Sequence, residues 1–332
     1  MKSVYLNNTK KIGSVYTAET LEYLKSAAGL EPIAYSHEDV AADSQSFANV
    51  EYVFSTWGMP VFTTEEVKNW FPSLKAIFYA AGTVQYFAKP FLENGVKVFS
   101  AWAANAIPVA EYTVAQIILA NKGFYQSSRI AKTGDRKSAS KFSQSCPGNY
   151  GAKIGIIGAG MIGKLVINML KSYHLEVLVF DPFLPDEKAI ELGVKKVSLE
   201  TLFKECQVVS NHLANNAETQ GMLKYEHFAS MKPYATFLNT GRGAQVVEND
   251  LVKALTDRPD LTAVLDVTFP EPPEQGHAFY TLSNCILTPH IAGSISDEVH
   301  RMSEYMVEEF DSFKNGRPTR YEVTLKMLKT MA

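Results

Sequence analysis

The chain has 332 residues, 46% of them hydrophobic, with 32 lysines and arginines against 35 aspartates and glutamates and a net charge of -3. A chain of this length exceeds what one hydrophobic core usually serves, so we expect two domains. The near balance of charge gives no field that would attract nucleic acid or an anionic membrane. We therefore expect small molecules and other subunits as partners.

The N-terminus and the cysteines bear on the compartment. Residues 1–8 turn polar before the apolar core of a signal peptide could form, and we see no later apolar stretch long enough to span a bilayer. The cysteines, Cys146, Cys206 and Cys285, are odd in number and widely spaced, which argues against a disulfide framework and against a zinc site. We expect a cytoplasmic protein without a metal.

Short apolar, β-rich runs alternate with helical patterns along most of the chain. In the first part they occupy residues 3–6, 32–35, 52–55, 74–79 and 96–100, and in the second part residues 175–180, 206–210, 235–239, 261–267 and 285–287. Such alternation is typical of parallel sheets with right-handed crossovers. It predicts an α/β fold with two doubly wound parallel-sheet domains.

A glycine-rich segment lies in the middle of the chain. The apolar residues 154–157 run directly into residues 158–163, Gly-Ala-Gly-Met-Ile-Gly, and a helical pattern follows. Gly158 permits a tight turn, Gly160 lets the backbone approach a pyrophosphate, and Gly163 allows the helix to pack closely on the strand. The helix N-terminus supplies a site for an anion. The layout predicts a dinucleotide-binding turn.

The next apolar strand ends at Asp181, at about the 20-residue distance expected of a ribose-binding carboxylate. A glycine-rich turn in an ordinary α/β domain is the alternative, but it leaves the position of this acid unexplained. A carboxylate accepts hydrogen bonds from ribose hydroxyls and repels a 2′-phosphate, and no arginine follows it directly. The sequence therefore favours NAD over NADP.

The position of the strand at 154–157, which leads into the glycine-rich turn, indicates the domain layout. Because this strand begins mid-chain, we expect a Rossmann NAD-binding domain at 104–295, inserted in a flavodoxin-like substrate domain formed by 1–103 plus 296–332. A helical pattern at 109–124 precedes the polar stretch 126–150, which carries several basic residues. This stretch is either a solvated arm or a segment that lies across a partner subunit.

Three polar residues follow strands of the second part. Arg242 follows 235–239, Glu271 follows 261–267 and His290 follows 285–287. Hydride transfer to or from a carbonyl needs a proton donor or acceptor and a cation that polarises the oxygen. Taken one at a time, Arg242 could be a surface charge, Glu271 a loop residue and His290 a turn residue. Their joint occurrence after a dinucleotide motif favours a catalytic trio.

With these motifs the sequence resembles the family of D-isomer-specific 2-hydroxyacid dehydrogenases over nearly its whole length. The resemblance implies an enzyme that transfers a hydride between NAD(H) and a D-2-hydroxy acid or 2-oxo acid, working as a homodimer through residues 109–150. The motifs that carry it lie in the family's order at residues 155–163, 208–212, 239–243, 266–272 and 288–293.

The resemblance also implies roles for individual residues. Arg242 would bind the substrate carboxylate and carbonyl, His290 would act as acid and base, and Glu271 would orient and charge the histidine. The backbone of Ala81 and Gly82 would help to bind the substrate carboxylate. Cofactor contacts are implied for Gly158, Gly160, Met161, Ile162, Gly163, Asp181, His212, Thr240, Asp266 and Gly293. For Asp266, a cap or turn role is the alternative.

The sequence departs from the family's pattern in places. Ala80 stands where glycine is common, Val84-Gln85 where an acid or asparagine is frequent, Ala214 where proline is usual and Thr268 where an aromatic residue is common. None of these belongs to the trio, but the first two bear on substrate preference. Trp57 and Met59 could shape a pocket for the substrate side chain or pack in the core.

A function other than catalysis also remains an alternative. An NAD-sensing binding protein on the same scaffold, similar to the corepressors that resemble this family, would keep the same three residues. A formate dehydrogenase is disfavoured, because that branch has glutamine where Glu271 stands.

Overall fold

The computed structural model describes residues 2–9 and 12–329. The chain forms two compact units. The first unit comprises Met1–Asn105 and Ser294–Ala332, and the second unit comprises Ala106–Gly293.

In chain order the strands of the described residues are β1 Ser3–Leu6, β2 Leu30–Tyr35, β3 Tyr52–Ser55, β4 Ala76–Tyr79, β5 Lys97–Ser100, β6 Tyr150–Ile157, β7 His174–Phe180, β8 Lys195–Lys196, β9 Val208–Asn211, β10 Thr236–Asn239, β11 Thr262–Leu265, β12 Cys285–Leu287 and β13 Glu322–Val323. The α-helices are α1 Ala18–Ala28, α2 His37–Ala42, α3 Thr64–Trp70, α4 Ala88–Glu93, α5 Trp102–Asn121, α6 Phe124–Lys132, α7 Arg136–Gln144, α8 Met161–Leu170, α9 Asp186–Leu192, α10 Leu199–Glu205, α11 Tyr225–Ala229, α12 Glu248–Asp257 and α13 His300–Lys314. Short 3-10 helices occupy Ser44–Phe47, Gly243–Gln245, Ala278–Tyr280, Ser296–Val299 and Met327–Lys329.

The first unit is built on a sheet of order β13-β5-β4-β3-β1-β2. Its strands are parallel except β13, which pairs antiparallel with β5. The order 2-1-3-4-5 within it is that of flavodoxin-like folds. Side chains alternate between the faces, so Ile77 packs in one core and Phe78 in the other. Met302 and Phe310 of α13 pack on the second face, so the C-terminal helix covers this sheet.

The second unit is built on a parallel sheet of order β12-β11-β10-β9-β6-β7-β8. Counted from β6, this contains the Rossmann order 3-2-1-4-5-6, and it confirms the predicted fold class. Both faces are covered by helices: Phe237 packs with the core that includes Phe203 of α10, and Leu238 with the core that includes Val166 of α8. The strand order reverses between β6 and β9, where such folds bind ligands.

Helix α5 is long and apolar. Its 20 residues would suffice, by length and composition, to cross a membrane. The prediction that no apolar stretch is long enough to span a bilayer was therefore wrong. It is the one such helix in the described residues. Its residues Ala110, Val114, Ile117 and Ala120 pack in the core of the second unit, and core helices of globular domains meet the same criterion.

The polar stretch 126–150 is mostly helical. Helices α6 and α7 occupy most of it, and α7 is capped at its start by Asp135, whose side chain accepts the N–H of Ser138. The helical pattern placed at 109–124 begins earlier, at Trp102, and ends at Asn121. The two-residue strands β8 and β13 were not predicted, because runs so short carry no periodic signal.

Candidate functional site

The glycine turn follows β6, and two of its glycines admit no side chain. Gly158 has a φ of 90°, its N–H donates to the carbonyl oxygen of Phe180 at 2.8 Å, and a Cβ there would lie 2.9 Å from the carbonyl oxygen of His212. At Gly163 a Cβ would overlap the carbonyl oxygen of Gly158. Both positions therefore require glycine for the turn itself to form.

Gly160 differs from these two, because, apart from its own atoms and those of its chain neighbours, no atom lies within 4 Å of the position that its Cβ would take. It precedes Met161, the first residue of α8, and no side chain caps this helix end. Backbone N–H groups at an uncapped helix start attract an anion. The space at Gly160 and the open helix end thus fit the diphosphate of a dinucleotide.

Asp181 directly follows β7 and fastens the same turn. Its Oδ2 accepts the N–H of Ala159 at 2.7 Å, and its Oδ1 accepts the N–H of Phe183 at 2.8 Å. Each carboxylate oxygen accepts more than one hydrogen bond, so these contacts leave capacity for ribose hydroxyls.

His212 is buried at the end of β9. Its Nε2 lies 2.9 Å from Ser210 Oγ, and its Nδ1 lies 3.5 Å from Thr240 Oγ1, which is itself 3.2 Å from Thr113 Oγ1. Burial lowers the pKa of His212 to about 3. The ring is therefore a neutral hydrogen-bonding group beside Thr240 at neutral pH.

His290 and Glu271 form a close pair. His290 follows β12 in a left-handed conformation, with φ 55°, and its Nδ1 lies 2.6 Å from Glu271 Oε1. The side chains are 49% and 40% exposed. Within residues 2–9 and 12–329, Nε2 of His290 has no hydrogen-bond partner. The carboxylate thus orients the ring and leaves its other nitrogen free.

Asp266 builds the turn that carries His290. Its carboxylate is buried and accepts hydrogen bonds from Thr288 Oγ1 at 2.6 Å, the N–H of Ile291 at 2.8 Å and the N–H of Ala292 at 2.9 Å. Its carbonyl oxygen accepts the N–H of His290 at 3.1 Å. These contacts match the turn role offered as the alternative for this residue, and Gly293 follows the turn directly.

Arg242 lies in the loop after β10, partly buried. Its Nη1 donates to the carbonyl oxygen of Gly241 at 2.8 Å. Burial lowers the pKa of Arg242, and the charge of Glu271 acts in the opposite direction. A Cβ at Gly243 would overlap the backbone of Thr268, so the glycine lets the Arg242 loop pack against the chain that leads to Glu271.

In the first unit, the loop after β4 holds Ala81 and Gly82. The N–H of Ala81 donates to the carbonyl oxygen of Tyr79 at 2.9 Å, so it is not free for a substrate carboxylate. Ser100 Oγ donates to the carbonyl oxygens of Ala81, at 2.9 Å, and Gly82, at 2.6 Å. Among the described residues, the N–H groups of Gly82 and Thr83 have no acceptor.

The two residues considered for the substrate pocket differ. Met59 is 2% exposed and packs in the core of the first unit, whereas Trp57 is 47% exposed. Of the pair, Trp57 alone has a surface that a ligand could reach.

Sequence reasoning missed three buried amides that hold the loops after β9 and β10 together. Asn211 Nδ2 donates to Asn239 Oδ1 at 3.0 Å and to Gln245 Oε1 at 2.5 Å. Gln245 Nε2 donates to the carbonyl oxygens of Leu213, at 2.8 Å, and Ala214, at 3.0 Å. An asparagine at the last position of both β9 and β10 was the available signal.

Comparison with known sequences identifies relatives of this chain. Residues 114–292, more than half of the chain, match the family of the D-isomer specific 2-hydroxyacid dehydrogenase, NAD binding domain. D-3-phosphoglycerate dehydrogenase of Archaeoglobus fulgidus is 30% identical over 71% of this chain, which spans only 44% of that protein. Glyoxylate reductase of Korarchaeum cryptofilum is 30% identical over 74% of each chain.

Solved structures share the fold. The superposition on the apo form of D-mandelate dehydrogenase from Rhodotorula graminis covers 97% of this chain and 97% of that one. Its TM-score is 0.81, at 20% sequence identity. Together with the glycine turn and Asp181, these findings lead to one conclusion: the chain belongs to the D-isomer specific 2-hydroxyacid dehydrogenase family and binds NAD through its second unit.

Proposed function

We propose that this protein transfers a hydride between NAD(H) and a D-2-hydroxy acid or 2-oxo acid. The observation that carries the proposal is the His290–Glu271 contact of 2.6 Å, with the second ring nitrogen free, near the charge of Arg242. An oriented imidazole with one free nitrogen is the arrangement that general acid and base catalysis requires.

Arg242 would bind the substrate carboxylate and polarise its carbonyl. The guanidinium stays charged at all physiological pH values, and its planar fork matches a carboxylate with two parallel hydrogen bonds. Partial burial strengthens this interaction, because the surrounding medium is less polarisable than water.

His290 would exchange a proton with the substrate oxygen. The carboxylate of Glu271 accepts a hydrogen bond from Nδ1–H, so the proton that moves is held on Nε2. In reduction Nε2 gives that proton to the carbonyl oxygen, and in oxidation it takes one from the hydroxyl. In both directions Glu271 stabilises the charged imidazole.

The second unit would hold the cofactor with the residues of the glycine turn. Bound NADH supplies the hydride. Gly160 and the start of α8, with Met161 and Ile162, would contact the diphosphate, and Asp181 would accept the ribose hydroxyls. The negative charge of Asp181 disfavours a 2′-phosphate, which supports NAD over NADP. His212, Thr240, Asp266 and Gly293 are the further proposed contacts.

In the first unit, we propose that the N–H groups of Gly82 and Thr83, which have no acceptor among the described residues, can bind a carboxylate. We propose that the protein is cytoplasmic. We also propose that it forms a homodimer through residues 109–150, where Phe124 is 48% and Tyr150 80% exposed. Light scattering on the purified protein tests this part: a monomeric mass would contradict it.

Turnover with NADH and a panel of small, hydroxylated and aromatic 2-oxo acids tests the function. We expect the wild-type protein to reduce at least one acid to its D-2-hydroxy product. Arg242→Ala should raise KM and lower kcat together, by roughly 100-fold or more in kcat/KM, while Arg242→Lys should lose less. NADH binding without turnover of any acid would instead support an NAD-sensing binding protein.

A further inference from the structure

Glu271 lies on a loop with few attachments. We name residues 267–277, between Val267 and His277, the Glu271 loop. Among its local side-chain hydrogen bonds, Thr268 Oγ1 donates to the carbonyl oxygen of Pro270 at 2.9 Å, and Tyr280 OH donates to that of Pro273 at 3.1 Å. Neither attaches the loop to the sheet or to a long helix. The loop nevertheless presents a carboxylate to His290 at 2.6 Å.

A side-chain hydrogen bond to the loop comes from Glu248, the first residue of α12. Its Oε1 accepts the backbone N–H of Phe269 at 2.8 Å, and its side chain is only 13% exposed. Apart from the contact with His290, this is the one side-chain hydrogen bond, within the described part of the chain, that ties the Glu271 loop to a longer helix or strand. Phe269 stands two residues before Glu271.

His277, at the other end of the Glu271 loop, faces the same carboxylate. Its Nδ1 accepts the N–H of Phe279 at 3.2 Å, so the neutral ring carries its proton on Nε2. That nitrogen lies 3.7 Å from Glu248 Oε2. The two oxygens of Glu248 therefore face opposite ends of the loop: Oε1 binds the Phe269 N–H, and Oε2 lies near His277.

We propose that Glu248 is a positioning residue for the reaction: by holding Phe269 and facing His277, it fixes Glu271 where its carboxylate orients His290. This inference rests on the proposed function of the His290–Glu271 pair. Catalytic geometry is sensitive to such support, since a shift of about 1 Å costs roughly 100-fold in rate.

Asp250 offers a matched control for the obvious alternative, that Glu248 only stabilises its helix. Both acids lie in the first turn of α12, where a negative charge favours the helix dipole. Both accept a backbone N–H from a neighbouring segment, because Asp250 Oδ2 accepts that of Tyr225 at 3.0 Å. Only Glu248 contacts the Glu271 loop.

The first test compares Glu248→Ala, Glu248→Gln and Asp250→Ala by thermal unfolding, NADH affinity and steady-state kinetics. We expect Glu248→Ala to lower kcat roughly 10-fold or more, with NADH affinity retained. Glu248→Gln should restore most of kcat, because its amide oxygen can accept the Phe269 N–H. Asp250→Ala should lose thermal stability but keep kcat. Equal losses of kcat in Glu248→Ala and Asp250→Ala, or no recovery with glutamine, would overturn the proposal.

The second test combines Glu248→Ala with Glu271→Gln. If Glu248 acts through Glu271, the first substitution should cost little once the second is present, whereas a full multiplicative loss would overturn the proposal. Should Glu248→Ala fail to fold, Glu248→Asp takes its place in both tests, because it keeps the charge at the helix start and withdraws the acceptor by one methylene.

The two levels of inference fail differently. Wild-type turnover in both His290→Gln and Glu271→Gln would refute the proposed function. Loss of turnover in those two variants with full kcat in Glu248→Ala would refute only the role of Glu248.

Discussion

The glycine turn and the His290–Glu271 pair are both placed at strand ends of the second unit, but they are held in different ways. The turn is held by its own backbone: Gly158 and Gly163 fit because side chains there would meet the carbonyl oxygens of His212 and Gly158. The pair is held by side chains from elsewhere, namely Asp266 under His290 and Glu248 beside the Glu271 loop.

The difference separates two kinds of requirement. In the turn, Gly158 and Gly163 require glycine for a steric reason, so the effect of a substitution there on folding follows from a local distance. In the pair, the reacting groups are ordinary polar residues on exposed loops, and their chemistry depends on buried partners that do not react. The predictions below test each side of this contrast, starting with the largest effect.

The largest effect is expected for His290→Gln. Because the free Nε2 is the proposed proton donor, its loss should lower kcat by roughly 100- to 10,000-fold, while NADH affinity stays within about twofold. Steady-state rates and NADH fluorescence titration measure the two quantities. His174→Gln, the same change at an exposed histidine of the second unit, should leave both unchanged. Parallel loss of affinity and turnover in His290→Gln would assign the residue a structural role.

Gly160→Ala and Gly163→Ala should separate binding from folding within the glycine turn. The space at Gly160 accepts a methyl group in the protein itself, so its variant should fold with nearly wild-type stability yet bind NADH about tenfold or more weakly, a loss of about 1.4 kcal/mol. At Gly163 the methyl group meets the Gly158 carbonyl, which should cost on the order of 1–3 kcal/mol of stability. Thermal unfolding and NADH titration check both. Unchanged NADH affinity in Gly160→Ala would contradict a diphosphate at that position.

The last prediction concerns His212 and pH. Its native pKa of about 3 lies below that of an unfolded histidine, near 6.5, so between about pH 6.5 and pH 3 the unfolded state takes up a proton that the native state does not. Native stability from this group is therefore lost as the pH falls, by about 1.4 kcal/mol per pH unit.

His212→Gln removes this dependence. Urea unfolding at about pH 7 and about pH 5 should show the wild-type advantage over the variant shrinking at the lower pH. A constant difference would mean that the native imidazole is protonated as readily as the unfolded one. His174→Gln, the same substitution at an exposed ring, serves as the control.

Much of this architecture could be predicted from residue patterns. Apolar runs located the longer strands, and the spacing from the glycines to Asp181 indicated the dinucleotide fold, because these signals are local in sequence. The contacts of Glu248 with Phe269 and of Asn211 with Gln245 were out of reach, since they join segments that only the folded chain brings together. The N–H of Ala81 shows the same limit: its acceptor, Tyr79, is set by how the loop turns.

The division into two units has a practical consequence for spectroscopy. The chain has three tryptophans, Trp57, Trp70 and Trp102, and all belong to the first unit. Tryptophan emission during denaturation therefore monitors the first unit alone, whereas circular dichroism monitors both. Coincident curves would mean that the units melt as one cooperative body, and separated curves would assign each transition to its unit without any added label.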